Sequence, residues 1–172
     1  MTIKKILTEP NMLLRKISES VEKVGVDEKK LMDDMLETMY EAPGIGLAAI
    51  QIGVPKRIIV MDIGKDENKK EPRYFVNPII KNKNEEKSIY EEGCLSVPEQ
   101  FAEIERPNSC EVQYLDYDGK KQVLRAEGLL ATCIQHEMVH LEGILFIDYL
   151  SKLKKSMIIK KLSKIKINRE IL

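Results

Sequence analysis

Both histidines of the chain lie in residues 135–141, which read QHEMVHL. A spacing of four residues places His136 and His140 on the same face of a helix, one turn apart. Two imidazoles so arranged can bind one metal ion, and Glu137 beside them can reach a water on that ion. A five-residue pattern with two free positions also arises by chance, in which case both histidines are ordinary polar residues of an amphipathic helix.

A catalytic site with two histidine ligands needs at least one further protein ligand, and the three cysteines are candidates. Cys133 lies three residues before His136 on the same predicted helix. Cys110 lies in a predicted strand. Cys94 follows a glycine and shortly precedes a proline, a composition typical of turns that present functional groups. Free cysteine is also often a small buried hydrophobe, so spacing alone leaves the third ligand open.

Length and composition predict one globular domain that spans residues 1–172. The chain has 43% hydrophobic and 33% charged residues, which is ordinary for a globular protein. Its 28 basic and 28 acidic residues cancel, which argues against nucleic-acid binding as the main function. The lysine-rich segment 152–166 is interpreted as a solvated helix face. No signal peptide or membrane span is expected, and an odd number of cysteines fits a reducing cytoplasm.

Hydrophobic periodicity predicts the following elements. Helices are expected at residues 27–40, 129–141 and 151–167, and a strand at 57–62. A charged turn is expected at 65–71 and an extended region at 74–80. Residues 111–117 and 120–126 read as a hairpin around Asp118-Gly119. The last helix has an apolar stripe that is expected to dock on the body of the protein, formed by Leu153, Met157, Ile158, Leu162 and Ile165.

The order of these elements favours an α+β fold over a doubly wound α/β fold, because strands come first and the connections are short. A dinucleotide-binding or P-loop reading is rejected. The segment Gly44-Ile45-Gly46 lacks the other glycines of such loops and has no strand immediately before it.

Three segments together resemble peptide deformylase. They are residues 44–51 (GIGLAAIQ), 92–96 (EGCLS) and 135–141 (QHEMVHL), in the order and at the approximate spacing of that family. The resemblance implies an α+β fold in which antiparallel β-sheets surround a central metal-binding His-Glu-x-x-His helix, with a C-terminal helix. It also implies a metallohydrolase that removes the N-formyl group from the N-terminal formylmethionine of new proteins and releases formate.

The same resemblance implies a role for each site residue. Cys94, His136 and His140 would bind one divalent metal ion, with Glu137 as general base. The Leu95 backbone N–H and the Gln51 side chain would stabilise the oxyanion. The substrate-binding residues would be Gly44, Ile45, Gly46, Tyr90, Leu129 and Cys133. The ion in the family is commonly iron(II) (Fe2+), for which Zn2+, Ni2+ or Co2+ can substitute, and a thiolate ligand suits these ions better than magnesium or calcium.

The expected partners are N-formylmethionyl nascent polypeptides. The protein is expected to be a cytoplasmic monomer without membrane attachment or stable nucleic-acid binding. Docking of the lysine-rich C-terminal helix on the ribosome is left open. Two positions depart from the family pattern: Val139 stands where the family usually has Asp, and Phe101 stands where bacterial relatives often have Arg.

Two other functions compete with this hypothesis. A His-Glu-x-x-His metalloprotease uses the same chemistry on internal peptide bonds, but its third ligand typically lies downstream of the motif. Glu142 follows His140 too closely for that spacing. A non-catalytic protein with a structural metal would close the site with four protein ligands, whereas a catalytic site keeps a position for water.

Overall fold

A computed structural model describes residues 2–64 and 69–171 of the chain. Its α-helices are α1 (Val26–Glu41), α2 (Gly128–His140) and α3 (Lys152–Ile171). Its strands are β1 (Gly46–Ala48), β2 (Ile58–Met61), β3 (Arg73–Lys83), β4 (Lys87–Cys94), β5 (Val97–Pro107), β6 (Ser109–Leu115) and β7 (Lys121–Glu127). Within the described ranges, no helix combines the length and apolar character that crossing a bilayer requires.

The strands form two antiparallel sheets. One has the strand order β1-β2-β3-β6-β7, so β1 and β7 are its edges, and the other consists of β4 and β5 alone. Sequential antiparallel strands need only short connections, as in the β6–β7 hairpin, where Leu115 pairs with Lys121. The α+β class with antiparallel sheets is therefore confirmed.

Helix α2 lies at the centre, in contact with strands of both sheets. It is buried on most of its circumference, which explains why its sequence is apolar without a one-sided stripe. Ala131, Cys133 and Ile134 pack into a core with Met61 and Phe75 of the larger sheet. Because the helix is enclosed, its polar side chains must find partners inside the protein or face a cleft.

Helix α1 packs against the sheet as part of a second core, through the fully buried Met32, Met35 and Met39. The Glu28 carboxylate accepts a hydrogen bond of 3.0 Å from the Gly25 backbone N–H and thereby caps the first turn. An unbranched methionine fits irregular gaps, which suits a helix that must fill the space beside β1 and β2.

The predicted helices, the strand at 57–62 and the 111–126 hairpin are present. The extended region at 74–80 is one long strand, β3, whose pairing with β6 shifts register after Val76. The hairpin of β4 and β5 was not predicted. The turn predicted at 65–71 falls partly on residues 65–68, which lie outside the described residues.

The predicted docking of the last helix is correct in part. Ile158 and Leu162 are buried against Val97 and Phe146. Leu153 and Met157, however, are 72% and 51% exposed. The helix turns only one side toward the body, so the first two positions of the proposed stripe remain in solvent.

Candidate metal centre

Helix α2 places all four polar side chains of the QHEMVHL segment inside the protein, Gln135 among them. His136, Glu137 and His140 are 6%, 4% and 0% exposed. The ligand atoms of Cys94, His136 and His140 all lie within 4.8 Å of one another. Three buried or half-buried donors at this separation can face a single ion.

Cys94 reaches this group from the end of β4. Residues 95–96 form the tight turn of the β4–β5 hairpin, and Cys94 pairs with Val97 across it. The register shifts between Gly93 and Cys94, an irregularity that bends the strand locally. The Cys94 Sγ lies 3.3 Å from His140 Nε2. The composition around Cys94 did indicate a special turn, but it did not reveal the two long strands that hold it.

A buried ion pair fixes His136 from behind. The Glu92 carboxylate lies 2.8 Å from His136 Nδ1 and accepts two hydrogen bonds from Arg106, of 2.7 and 3.0 Å. The Arg106 guanidinium in turn lies 4.9 Å from the centre of the Tyr149 ring. With Nδ1 held by Glu92, the other ring nitrogen of His136 lies on the side of Cys94 and can bind a metal, an arrangement common among metal-binding histidines.

The site analysis from sequence missed Glu92 and Arg106. One signal was available for Glu92: it stands two residues before Cys94, and residues two apart on a strand face the same side. No local signal pointed to Arg106, which comes from the partner strand of the hairpin.

Burial dominates the electrostatics of the site. It raises the pKa of Glu137 from 4.5 to about 7, so the carboxyl group is a stronger base than an ordinary glutamate. It also lowers the pKa of His140 well below 6.5, which favours the neutral imidazole that metals bind. At His136, burial lowers the pKa, but hydrogen bonds to Cys94 and Glu92 outweigh it and raise the pKa to about 10.

The backbone of β1 passes close to Glu137. A Cβ added to Gly46 would lie 2.5 Å from the Glu137 Oε1 atom, so a larger residue there would displace the Glu137 side chain. The other carboxylate oxygen of Glu137, Oε2, has no hydrogen-bond partner among the described residues. Glu137 thus combines a buried, unpaired carboxylate oxygen with a place in the lining of a cleft.

Gln51 and Leu95 lie beside the same group. The Gln51 Oε1 atom accepts a hydrogen bond of 2.8 Å from the Ala48 N–H. Its Nε2 donates to Ser96 Oγ at 3.0 Å and lies 3.5 Å from Cys94 Sγ. These bonds hold the side-chain amide in one orientation. Leu95 occupies the hairpin turn directly after Cys94.

A cleft of about 450 Å³ opens on these residues. Its lining includes each residue predicted to bind substrate: Gly44, Ile45, Gly46, Tyr90, Leu129 and Cys133. Phe101 also lines it and is 65% exposed, whereas Thr132 is 4% exposed and was not predicted. Lysine and arginine are absent from the lining as far as the described residues go.

The donor set fits a transition-metal ion. One cysteine sulfur and two imidazole nitrogens suit iron(II), zinc, cobalt or nickel, while magnesium and calcium prefer oxygen. The orientation of His136 by Glu92 agrees with such a role, and three protein donors leave room for water or substrate.

Comparison with known proteins agrees with this geometry. The family model of polypeptide deformylase matches residues 3–156. A peptide deformylase of Pelagibacter ubique (strain HTCC1062) is 81% identical over 171 residues, which cover 99% of both chains. That of Rhizobium meliloti (strain 1021) is 56% identical over 164 residues, 95% of this chain and 94% of the relative.

Solved structures match the fold equally well. The crystal structure of peptide deformylase from Ehrlichia chaffeensis has a TM-score of 0.91 at 43% identity and covers 96% of this chain and 97% of that one. The complex of the Ehrlichia chaffeensis enzyme with actinonin gives a TM-score of 0.90 at 46% identity, with 95% and 98% covered. The chain therefore belongs to the polypeptide deformylase family, and it is a metallohydrolase that removes the N-formyl group from nascent polypeptides.

Proposed function

We propose that deformylation takes place in the cleft between β1, α2 and the β4–β5 hairpin, with a divalent metal held by Cys94, His136 and His140. The separation of their ligand atoms, all within 4.8 Å, is the observation that carries this proposal. When bound, a divalent ion in such a site supplies Lewis acidity and a water of lowered pKa.

Glu137 acts as the general base. Its free carboxylate oxygen takes a proton from the attacking water as the water oxygen bonds to the formyl carbon. The carbon–nitrogen bond then breaks, and Glu137 passes the proton to the leaving amine, so that formate and a free amino terminus result. A pKa of about 7 suits both steps, since the group must accept and then release the same proton near neutral pH.

Gln51 and the Leu95 backbone N–H stabilise the oxyanion that forms on the formyl oxygen. The Gln51 amide is already oriented by Ala48 and Ser96, so little reorganisation is needed during the reaction. Removing one such donor typically costs about 2.7–4 kcal/mol of transition-state stabilisation.

The substrate binds along β1. This strand pairs with β2 on one side only, so its other edge offers backbone groups to an extended peptide. Gly46 begins that edge, and Gly44 and Ile45 extend it just before the strand. The side chain of the first residue enters the apolar part of the cleft, whose walls are Tyr90, Leu129 and Cys133.

The finer assignments are proposals of the same kind. We propose iron(II) as the native ion, with zinc, nickel or cobalt able to replace it, since all four suit one thiolate and two imidazoles. We further propose that residues 1–172 form one catalytic domain that works as a cytoplasmic monomer on formylmethionyl chains.

Formate release from formyl-Met-Ala-Ser, with the acetylated peptide as control, tests the reaction. The metal-loaded Glu137→Gln variant should keep its metal and lose nearly all turnover, because glutamine cannot accept the proton. Turnover close to the parent rate in that variant would show that Glu137 is not the base.

The third ligand distinguishes this site from its rivals. Cobalt substitution should give a spectrum with one thiolate, and Cys94→Ala should remove the thiolate band. A fourth protein ligand in that spectrum would favour a structural metal, and cleavage of internal peptide bonds would favour a metalloprotease.

A further inference from the structure

The apolar part of the cleft runs along α2. Leu129, Thr132, Cys133 and His136 line it, at positions that share one face of the helix. Thr132 stands four residues before His136, which is about 6 Å along the helix axis. That distance is within the reach of an unbranched side chain whose backbone is held beside the metal ligands.

Thr132 carries a hydroxyl group without a partner. The residue is 4% exposed, and its Oγ1 atom is buried and makes no hydrogen bond within the described part of the chain. A helical threonine or serine usually satisfies its hydroxyl at the carbonyl four residues earlier. Two residues of this protein do so: Thr38 donates to the Asp34 carbonyl at 2.7 Å, and Ser163 donates to the Ile159 carbonyl at 3.1 Å.

Unlike Thr38 and Ser163, Thr132 leaves its hydroxyl without an acceptor. Buried polar groups without partners are uncommon and unfavourable, so each one calls for an explanation. The neighbouring Cys133 makes its own contact with the Ile45 carbonyl oxygen, 3.9 Å from its Sγ, and is not a partner of Thr132. Burial also raises the pKa of the Cys133 thiol well above 9.0, which keeps it neutral and unreactive.

We propose that Thr132 is a specificity-determining residue whose hydroxyl donates a hydrogen bond to the sulfur of the bound methionine side chain. The thioether sulfur is a weak acceptor, and an all-carbon side chain of the same shape has none. Threonine in a helix divides its χ1 between two rotamers, and the proposed bond forms in the rotamer that turns the Thr132 oxygen toward the cleft, which this residue lines. The inference rests on the proposed substrate site and deepens it.

The consequence is a discrimination that an apolar pocket alone cannot make. Methionine and norleucine fill the same space, so shape and hydrophobicity treat them nearly alike. The Thr132 hydroxyl finds an acceptor in methionine but none in norleucine. The hydroxyl therefore favours methionine, because a buried hydroxyl without a partner costs free energy.

The test compares formyl-Met-Ala-Ser with formyl-norleucine-Ala-Ser on the full-length, metal-loaded protein. We expect kcat/KM to favour methionine by about fivefold in the parent, a modest ratio that fits a weak acceptor. Thr132→Val keeps the shape without the hydroxyl and should bring the ratio close to one. Thr132→Ser keeps the hydroxyl and should retain most of the preference.

Binding of the product peptides Met-Ala-Ser and norleucine-Ala-Ser, measured by calorimetry, should show the same change in ratio. The matched control is Thr38→Val, which removes a helical hydroxyl remote from the cleft and should lower Tm without altering the ratio. An unchanged ratio in Thr132→Val, or no preference in the parent, overturns the inference. Failure of the parent to release formate from either peptide would instead refute the proposed function.

Discussion

The ion pair behind His136 should be among the most sensitive contacts of the fold. Glu92 and Arg106 side chains are each 5% exposed and share two hydrogen bonds of 2.7 and 3.0 Å. Arg106→Met removes the charge while keeping an apolar side chain under the Tyr149 ring. The perturbation therefore isolates the loss of the charged partner from the loss of packing.

The expected size follows from burial. Unit charges about 4 Å apart attract by roughly 4 kcal/mol at an effective dielectric constant of about 20. Removal of one partner of a buried pair costs about 3–5 kcal/mol, because the other charge stays buried without compensation. We expect Arg106→Met to lower the free energy of unfolding by about 4 kcal/mol, or Tm by roughly 8–16 °C for a domain of this size.

Urea unfolding of the metal-free and metal-loaded forms measures this effect. Arg125→Met is the matched control, since its guanidinium pairs with Glu111 at 3.4 Å while Arg125 is 87% exposed. It should cost at most about 1 kcal/mol. Similar losses in both variants would refute the view that burial makes the Glu92 pair important. Glu92→Gln should in addition weaken metal binding by about 10–100-fold, as measured by competition with a chelator.

Three further outcomes follow from other contacts. A hydrogen bond from Lys30 lowers the pKa of Asp34 below 3.8. The ionised Asp34 therefore stabilises the fold fully at pH values above its unfolded pKa of 3.8. This stabilisation is lost as the pH falls through the lower pKa that Asp34 has in the folded protein. Asp34→Asn should cost about 1–3 kcal/mol at pH 7 in urea titrations, a gap that closes below about pH 4. Val139→Asp adds a negative charge to the last turn of α2, so it should lower stability by about 1 kcal/mol while metal content stays unchanged; loss of metal with intact folding would contradict this. Phe101→Arg puts a positive charge on the rim of the cleft, where the described residues include no lysine or arginine. The change should raise kcat/KM for formyl-Met-Asp-Ser relative to formyl-Met-Lys-Ser by up to about fivefold. An unchanged ratio would show that the residue at position 101 does not contact the second residue of the peptide.

The expected loss of stability in Val139→Asp assumes that the new carboxylate finds no cationic partner. Arg106 already donates two hydrogen bonds to Glu92. Arg57 pairs with Glu142, one turn beyond position 139, so a new carboxylate would compete with that glutamate. Neither arginine is therefore expected to offset the added charge.

The centre of the site could be predicted from sequence because its information is local. Two histidines four apart need only one helix, and a long apolar segment specifies that helix directly. The hairpin of β4 and β5 could not be predicted in the same way. Its inward-facing positions include Glu92 and Arg106, which resemble surface residues until their pairing is known. Hydrophobic alternation does not predict a buried strand position that carries a charge, when the compensating charge lies on another strand.

Thr132 and Leu153 illustrate the same limit at opposite ends of the burial scale. Thr132 lies in an apolar segment and looks like any small core residue, since its lack of a partner is a property of three-dimensional geometry. Leu153 lies on an apolar stripe of α3, but periodicity does not tell where the body of the protein ends. In both cases the residue type is compatible with the observed burial and contacts but does not determine them.

Burial at this centre serves stability and chemistry in opposite ways. The enclosure of α2 raises the pKa of Glu137 to about 7, which suits the proposed base. It also makes the Glu92 carboxylate beside His136 costly, and the hydrogen bonds to His136 and Arg106 together with the Arg106 charge offset that cost. A more exposed site would remove this cost and return Glu137 toward an ordinary, weaker basicity. The Glu92–Arg106 pair is thus the structural condition under which a buried base and an oriented histidine can stand side by side on one helix.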